Sequence, residues 1–251
     1  MPYITVKNIR IFYNERGKGS PLALFHGNGG SSKMLKAEIK HYAKHFRVLA
    51  FDLPGHGRSD RIPGFEGDFW QYSAFLIKKA LVSIGTTELH LMGNSGGAII
   101  AFHLAADVEI NCKSVIADSF EGLALPPERA KAIVSQRNRT MDVRFFKMFF
   151  KYLHGHDWRD VLNKDSKNLL HFAEHKTVWF DSLEEVECKV LLTALEEDDM
   201  IPRAADKVRL VHELLPQSEL QIFSKGKHPA MLSNRKRYRK LVCDFCCDKK
   251  T

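Results

Sequence analysis

No stretch of the 251 residues approaches the roughly 20 consecutive apolar positions needed to span a bilayer. The opening MPYITVKNIRIFY alternates apolar with charged residues and lacks the unbroken apolar segment of a secretory signal. A cytoplasmic protein without membrane association is expected. Cysteine is scarce and odd in number. Cys112, Cys188, Cys243, Cys246 and Cys247 do not make the even framework of a secreted disulfide scaffold, so reduced thiols are expected. The C-x-x-C spacing at Cys243 and Cys246 has no second ligand pair, so a terminal helix burying one face accounts for it and no metal is expected. Also missing are the lysine that follows the glycines of a Walker loop, the G-x-G-x-x-G dinucleotide pattern, internal repeats and low-complexity linkers.

What is present suits one domain, spanning 1–251: 44% of residues are hydrophobic and 27% charged, enough for one large core. The balance of 38 basic and 30 acidic residues leaves a net charge of +8, with the densest basic run, RKRYRK, at 235–240. Zinc ligands or stacking aromatics interleaved with base are lacking, so this run reads as a solvated face of a terminal helix and no nucleic-acid partner is expected.

Periodicity organises the chain. ITVKNIRIFYNE alternates, then meets RGKGSP, as in an opening antiparallel pair. LALFH (22–26) is a short continuous apolar run suited to a strand buried on both faces. There follow a helix around 33–45, the strand FRVLAFD, a helix around 69–84, the strand LHLMG, a helix from about 97 and the strand SVIAD (114–118). This alternation predicts an α/β protein with a mostly parallel sheet and helices on both faces. Between 121 and 187 only helical patterns are convincing, notably VRFFKMFFKYL, where Phe145, Phe149 and Tyr152 share one face and Phe146, Phe150 and Leu153 its neighbour. Alternation resumes with CKVLLTAL (188–195), a helix AADKVRLVHELL, the strand SELQIF (218–223) and a last helix, so 121–187 reads as a helical insert within one unit.

The pentad Gly93-Asn94-Ser95-Gly96-Gly97 matches G-x-S-x-G, in which a sharp strand-to-helix turn exposes the serine oxygen and small residues give the turn clearance. By itself it leaves two readings open, a nucleophile or a turn serine capping the next helix. A nucleophilic serine needs a base, an acid to orient the base, and amide donors for an oxyanion. All should sit in loops at the carboxyl ends of parallel strands. HGNGG (26–30) follows LALFH, and convergence of the Asn28 and Gly96 N–H groups would make an oxyanion hole. Of twelve histidines, His26 and His56 lie in glycine loops that shape backbone, and His103, His171, His175 and His212 fall in helical patterns. His228, in SKGKHPAM after the last strand, is the candidate base. For the acid, EEDDMIP offers Glu196, Glu197, Asp198 and Asp199, and spacing alone does not choose among them.

The stretches LFHGNGG, VLAFDLPGHGRSD, LHLMGNSGGA, VLLTALEEDDMIP and GKHPAML, in this order, resemble the α/β-hydrolase fold family over essentially the whole chain. The resemblance implies a helical lid at 121–187 over the serine and a triad ordered Ser95, acid, His228. Alignment on Pro202 points to Asp198 as the acid, with Asp118 in reserve because some relatives take theirs after the preceding strand. It departs from the family at Leu195, where a glycine usually heads the acid loop. The arrangement KYLHGHDWRDVLNKDS is somewhat similar to the small-lid group of biphenyl-hydrolase-like esterases, but Gly96 stands where some of those hold an amino group with an acid.

The implied reaction is acyl-enzyme hydrolysis of a small-molecule acyl substrate, most simply a carboxylic ester, without metal or organic cofactor. A carbon–carbon bond hydrolase acting on diketone-like acids would use the same triad, and a catalytically silent binding protein is the third reading. The phenylalanines at 145, 146, 149 and 150 are expected either to line an apolar pocket or to pack the lid onto the body. Oligomeric state is not legible.

Overall fold

The computed structural model describes residues 3–62, 67–181 and 183–247. The expected spans 1–251 and 121–187 therefore include positions, residue 182 among them, that lie outside the described residues.

The opening pair, β1 (Tyr3–Val6) and β2 (Ile9–Arg16), is antiparallel, and β2 then runs antiparallel to β4 (Arg47–Phe51). All later pairings are parallel: β3 (Pro21–Phe25), β5 (Glu88–Asn94), β6 (Asn111–Asp118), β7 (Lys189–Leu195) and β8 (Ser218–Phe223) complete one eight-stranded sheet ordered β1-β2-β4-β3-β5-β6-β7-β8. From β3 the chain moves outward to β4, then crosses back to place β5 on the other side of β3. Strand order thus reverses at β3 and β5, opening a crevice beyond their carboxyl ends.

The apolar runs bury both faces of the sheet, since successive side chains point oppositely. Ala23, Phe25, Leu49 and Phe51 join a core with α2 (Phe69–Ser83) and α3 (Gly96–Ala105), whereas Leu22, Leu24, Val48 and Ala50 join a second core on the opposite face. That second core takes in α1 (Lys36–Tyr42) and, at the chain's end, α8 (Ala230–Ser233) and α9 (Arg235–Cys246). The remaining body helix, α7 (Ala204–Leu214), follows β7. The basic run at 235–240 is not simply a solvated face. Arg235 and Arg239 both pair with the buried Glu38 carboxylate, and Tyr238 is fully buried.

Between β6 and β7 stand α4 (Pro127–Met141), α5 (Arg144–His154) and α6 (Trp158–His175), the predicted helical insert. Its neck is closed by Leu125 N–H to Thr177 O (2.8 Å) and Trp179 N–H to Leu123 O (3.0 Å). The aromatic stripe of α5 differs from both expectations for it. Phe150 stacks on Trp158 and Leu153 is buried, but Phe145 is 70% exposed, Met148 64% and Tyr152 55%. Helical periodicity marks an apolar face without saying whether another element covers it.

Candidate active site

Ser95 is the single residue between β5 and α3, with φ 52° and ψ −127°. A non-glycine residue there carries roughly 1–3 kcal/mol of strain that its surroundings must hold. Its N–H donates to Asp118 O at 2.8 Å and its carbonyl accepts from Ala98 N–H at 3.0 Å. The flanking glycines supply the clearance expected of them. A Cβ on Gly93 would lie 2.1 Å from Gly97 O, and one on Gly97 would lie 2.4 Å from Phe25 O. Ser95 occupies the N-cap position of α3, yet its side chain makes no capping hydrogen bond. The strained turn therefore does not exist to cap the helix.

The 26–30 loop turns back beside it. Gly30 N–H donates to Gly27 O at 3.0 Å, with Gly29 at φ +64°, as a tight turn with glycine at its third position requires. A Cβ on Gly27 would sit 2.9 Å from Ser95 Cβ, so this loop lies directly against the serine. Trp70 Nε1–H donates to Asn28 Oδ1 at 3.1 Å, and the same oxygen would be 2.0 Å from a Cβ on Gly96. Asn28 and Gly96 are thus brought together. Neither of their N–H groups is engaged by another group among the described residues, as expected for the open first turn of a helix at Gly96.

At the ends of β7 and β8 the candidate acid and candidate base meet. His228 Nδ1 lies 3.0 Å from Asp198 Oδ2, while Asp198 Oδ1 accepts from the N–H groups of Met200 (2.8 Å) and Ile201 (2.9 Å). Burial pushes the Asp198 carboxyl up, but the hydrogen bond and charge of His228 and the two amides outweigh it, leaving its pKa below the ordinary value. Leu195, in place of the usual glycine, ends β7 buried and does not keep Asp198 from the ring. Glu196 instead pairs with Arg209, and Asp199 accepts from the His228 N–H at 2.8 Å. The Ser95 hydroxyl makes no hydrogen bond among the described residues. Contacts of this kind commonly tighten only once substrate is bound.

Asp118, the acid held in reserve, makes a different set of contacts. Its carboxylate does not bond the His228 ring. It accepts from Met231 N–H (2.8 Å), Thr193 Oγ1–H (2.8 Å) and Ser119 Oγ–H (3.0 Å), and Ser119 Oγ accepts in turn from Ala230 N–H (3.0 Å). Because Asp118 O also holds the Ser95 N–H, this buried pair braces both the serine turn and the histidine loop. Burial pushes the Asp118 carboxyl up to about 6, against its hydrogen bonds and the nearby His228.

The insert is fastened over the donor loop by buried polar groups that periodicity did not single out. His154 Nε2–H donates to Gly29 O at 3.0 Å, and His154 Nδ1 accepts from Gly57 N–H at 3.0 Å. Burial foremost, then the neighbouring His56, lowers the His154 pKa to about 3, so the ring is neutral. Asp165 on α6 takes His56 Nε2 at 3.1 Å and the Arg137 guanidinium of α4 at 2.7 Å. Burial opposes ionisation of Asp165, but Arg137 and His56 hold its carboxyl far below the usual range. A Cβ on Gly29 would meet Leu162 Cδ2 at 3.0 Å and Arg137 Nη2 at 3.4 Å, so α4 and α6 crowd the loop directly. In the FDLPGHGRSD loop, Asp52 accepts from the Ser32 and Arg58 N–H groups and so fixes the backbone there. Cavities of about 550 and 530 Å³ lie elsewhere, beside Phe75 and His103 and beside Val134 and Leu170, and Ser95 lines neither.

The family description "alpha/beta hydrolase fold" matches residues 20–134, which carry the donor loop and the serine turn. A proline iminopeptidase from Heyndrickxia coagulans is 24% identical, over 93% of this chain and 92% of that protein. The chain has the α/β-hydrolase fold. A 2-hydroxy-6-oxononadienedioate/2-hydroxy-6-oxononatrienedioate hydrolase from Paraburkholderia phymatum is 25% identical over 94% of this chain and 91% of its own. Among solved structures, an esterase from Exiguobacterium antarcticum superposes with a TM-score of 0.78 at 18% identity, covering 97% of this chain and 98% of that one. This likeness of fold extends to the eight-stranded sheet and the loops at its switch point.

Proposed function

We propose that this α/β-hydrolase is a serine hydrolase working through an acyl-enzyme, on a small carboxylic ester or a related acyl substrate. The single observation that carries the reading is the Asp198–His228 pair at 3.0 Å, formed at the ends of β7 and β8 in the sheet whose β5 ends at an uncapped, strained Ser95. Ser95 is assigned as nucleophile and His228 as general base, then as general acid to the leaving group. Asp198 holds the imidazole with its proton on Nδ1, which leaves Nε2 free to take the serine proton. The N–H groups of Asn28 and Gly96 receive the oxyanion, where one such donor is worth roughly 2.7–4 kcal/mol of transition-state stabilisation. The 127–175 helices, fastened at Gly29 and Gly57, act as the lid.

Hydrolysis of a panel of p-nitrophenyl esters tests this reading. Short acyl esters should turn over in the wild type and not in Ser95→Ala. A second reading, carbon–carbon bond hydrolysis of diketone-like acids, is favoured by the full-length similarity to the dienedioate hydrolase. Turnover of such an acid at a kcat/KM well above that of every ester would establish it. Inactivity on both classes would leave a binding protein on this fold.

A further inference from the structure

Helix α5 carries two apolar arcs, and the fold uses one of them. At about 100° per residue, Phe150 and Leu153 point to the side that packs on the rest of the protein, where Leu153 is buried and Phe150 lies over Trp158 of α6, while Phe146 between the arcs is 36% exposed. Phe145, Met148, Phe149 and Tyr152, spaced i, i+3, i+4 and i+7, fall on a separate outward arc, in which Phe149 is half-buried and stacks on the exposed Phe145. Arg144, Lys147 and Lys151 flank that arc on one side and form no ion pair among the described residues. Lys33 lies over the Tyr152 ring at 5.1 Å and adds a further cation at the edge. Single exposed apolar residues need no explanation, but adjoining phenylalanine, methionine and tyrosine on one helix do.

Charge selects the occupant. The helix RFFKMFFKYLH holds no acid. A two-fold contact between copies through this face would place its own cations against one another. An anionic phospholipid surface meets both halves of the pattern: aromatic rings settle at headgroup level while lysine and arginine reach the phosphates. We propose that the outward face of α5, Phe145, Met148, Phe149 and Tyr152 with Arg144, Lys147 and Lys151, docks in the plane of an anionic phospholipid membrane. This revises the expectation of no membrane contact, which rested on the lack of a spanning run that an in-plane helix does not need. It holds independently of what Ser95 does. Because Ser31 Oγ–H donates to Leu153 O at 3.4 Å and His154 to Gly29 O, the docked helix would hold the bilayer against the insert side of the crevice.

The test is co-sedimentation of the full chain with vesicles of phosphatidylcholine alone and of phosphatidylcholine mixed with phosphatidylserine, at low salt. Binding is expected to the mixed vesicles only, and to fall as salt rises. Lys147→Gln and Lys151→Gln should each weaken it about fivefold. The double variant Phe145→Ser, Met148→Ser should weaken it tenfold or more, with unchanged circular dichroism and thermal midpoint. Val108→Ser, at an exposed apolar residue in the loop before β6, should leave binding as in the wild type. Equal partition onto both vesicle types, no binding to either, or binding indifferent to the α5 substitutions would overturn the proposal. So would a concentration-dependent dimer abolished by Phe145→Ser, which would make the face a contact between copies.

Discussion

Exchanging Asp198 for asparagine keeps the side chain's shape and removes its charge, and the surrounding hydrogen bonds dictate how the new amide must lie. Its oxygen has to stay on the Met200 and Ile201 N–H groups, because an NH2 there would face two donors. The NH2 is then aimed at His228 Nδ1, 3.0 Å away. The ring must answer with a lone pair at Nδ1, so its proton moves to Nε2, the atom assigned to accept the serine proton. A wrong tautomer of this kind costs about 10⁴-fold in kcat, or about 5 kcal/mol. Asp118→Asn has an escape that Asp198→Asn lacks. Its oxygen can stay on Met231 N–H while its NH2 faces the hydroxyls of Thr193 and Ser119, which accept as readily as they donate. Its cost should stay within about tenfold, near 1.4 kcal/mol. Steady-state kinetics of both variants on one activated ester, with circular dichroism to confirm folding, decides between them. Activity lost more in Asp118→Asn than in Asp198→Asn would refute the reasoning and move the acid to Asp118.

Stability carries further tests. Asp118 has its carboxyl raised from 3.8 to about 6 in the folded protein, so the folded state holds a proton there that the unfolded chain has released. Between about pH 4 and 6 the wild type should therefore lose up to about 3 kcal/mol relative to Asp118→Asn, read by urea denaturation at several pH values. A constant difference across that range would contradict the assignment. Asp198 runs the other way: its lowered pKa stabilises the fold above the usual carboxylate range, and that contribution should fade on acidification in the wild type but not in Asp198→Asn. Asp165→Ala leaves the mostly buried Arg137 uncompensated and should cost about 3–5 kcal/mol in urea unfolding. Gly97→Ala forces a methyl group to 2.4 Å from Phe25 O, and should lose roughly 1–3 kcal/mol of stability along with ester hydrolysis.

The order of strands and helices was legible because strands buried on both faces leave continuous apolar runs such as LALF, each ended by a loop rich in glycine or acid. The serine turn was legible for a related reason: a backbone that passes within 2.4 Å of where a Cβ would sit tolerates only glycine. What escaped were contacts joining distant segments. Trp70 reaches Asn28 across 42 positions, His56 reaches Asp165 across 109 and His154 reaches Gly29 across 125. Each is one polar group within a helical or loop pattern, and nothing local distinguishes it from a solvated side chain. Glu38 is a similar case, since its partners Arg235 and Arg239 lie in a run that reads as solvent-facing. Spacing made the loop after β7 legible as a location but not as a residue, since four adjacent carboxylates share it; the resemblance, through Pro202, pointed to Asp198, and the turn onto Met200 and Ile201 aims that residue at the ring.

The central claim is that Ser95 is a nucleophile. Treating the folded protein with a fluorophosphonate and mapping the adduct by peptide mass spectrometry tests it most directly. The account predicts one adduct, on Ser95, absent from Ser95→Ala and strongly slowed in His228→Ala. A folded wild type that takes no label, or a Ser95→Ala variant labelled as strongly as the wild type, would contradict it.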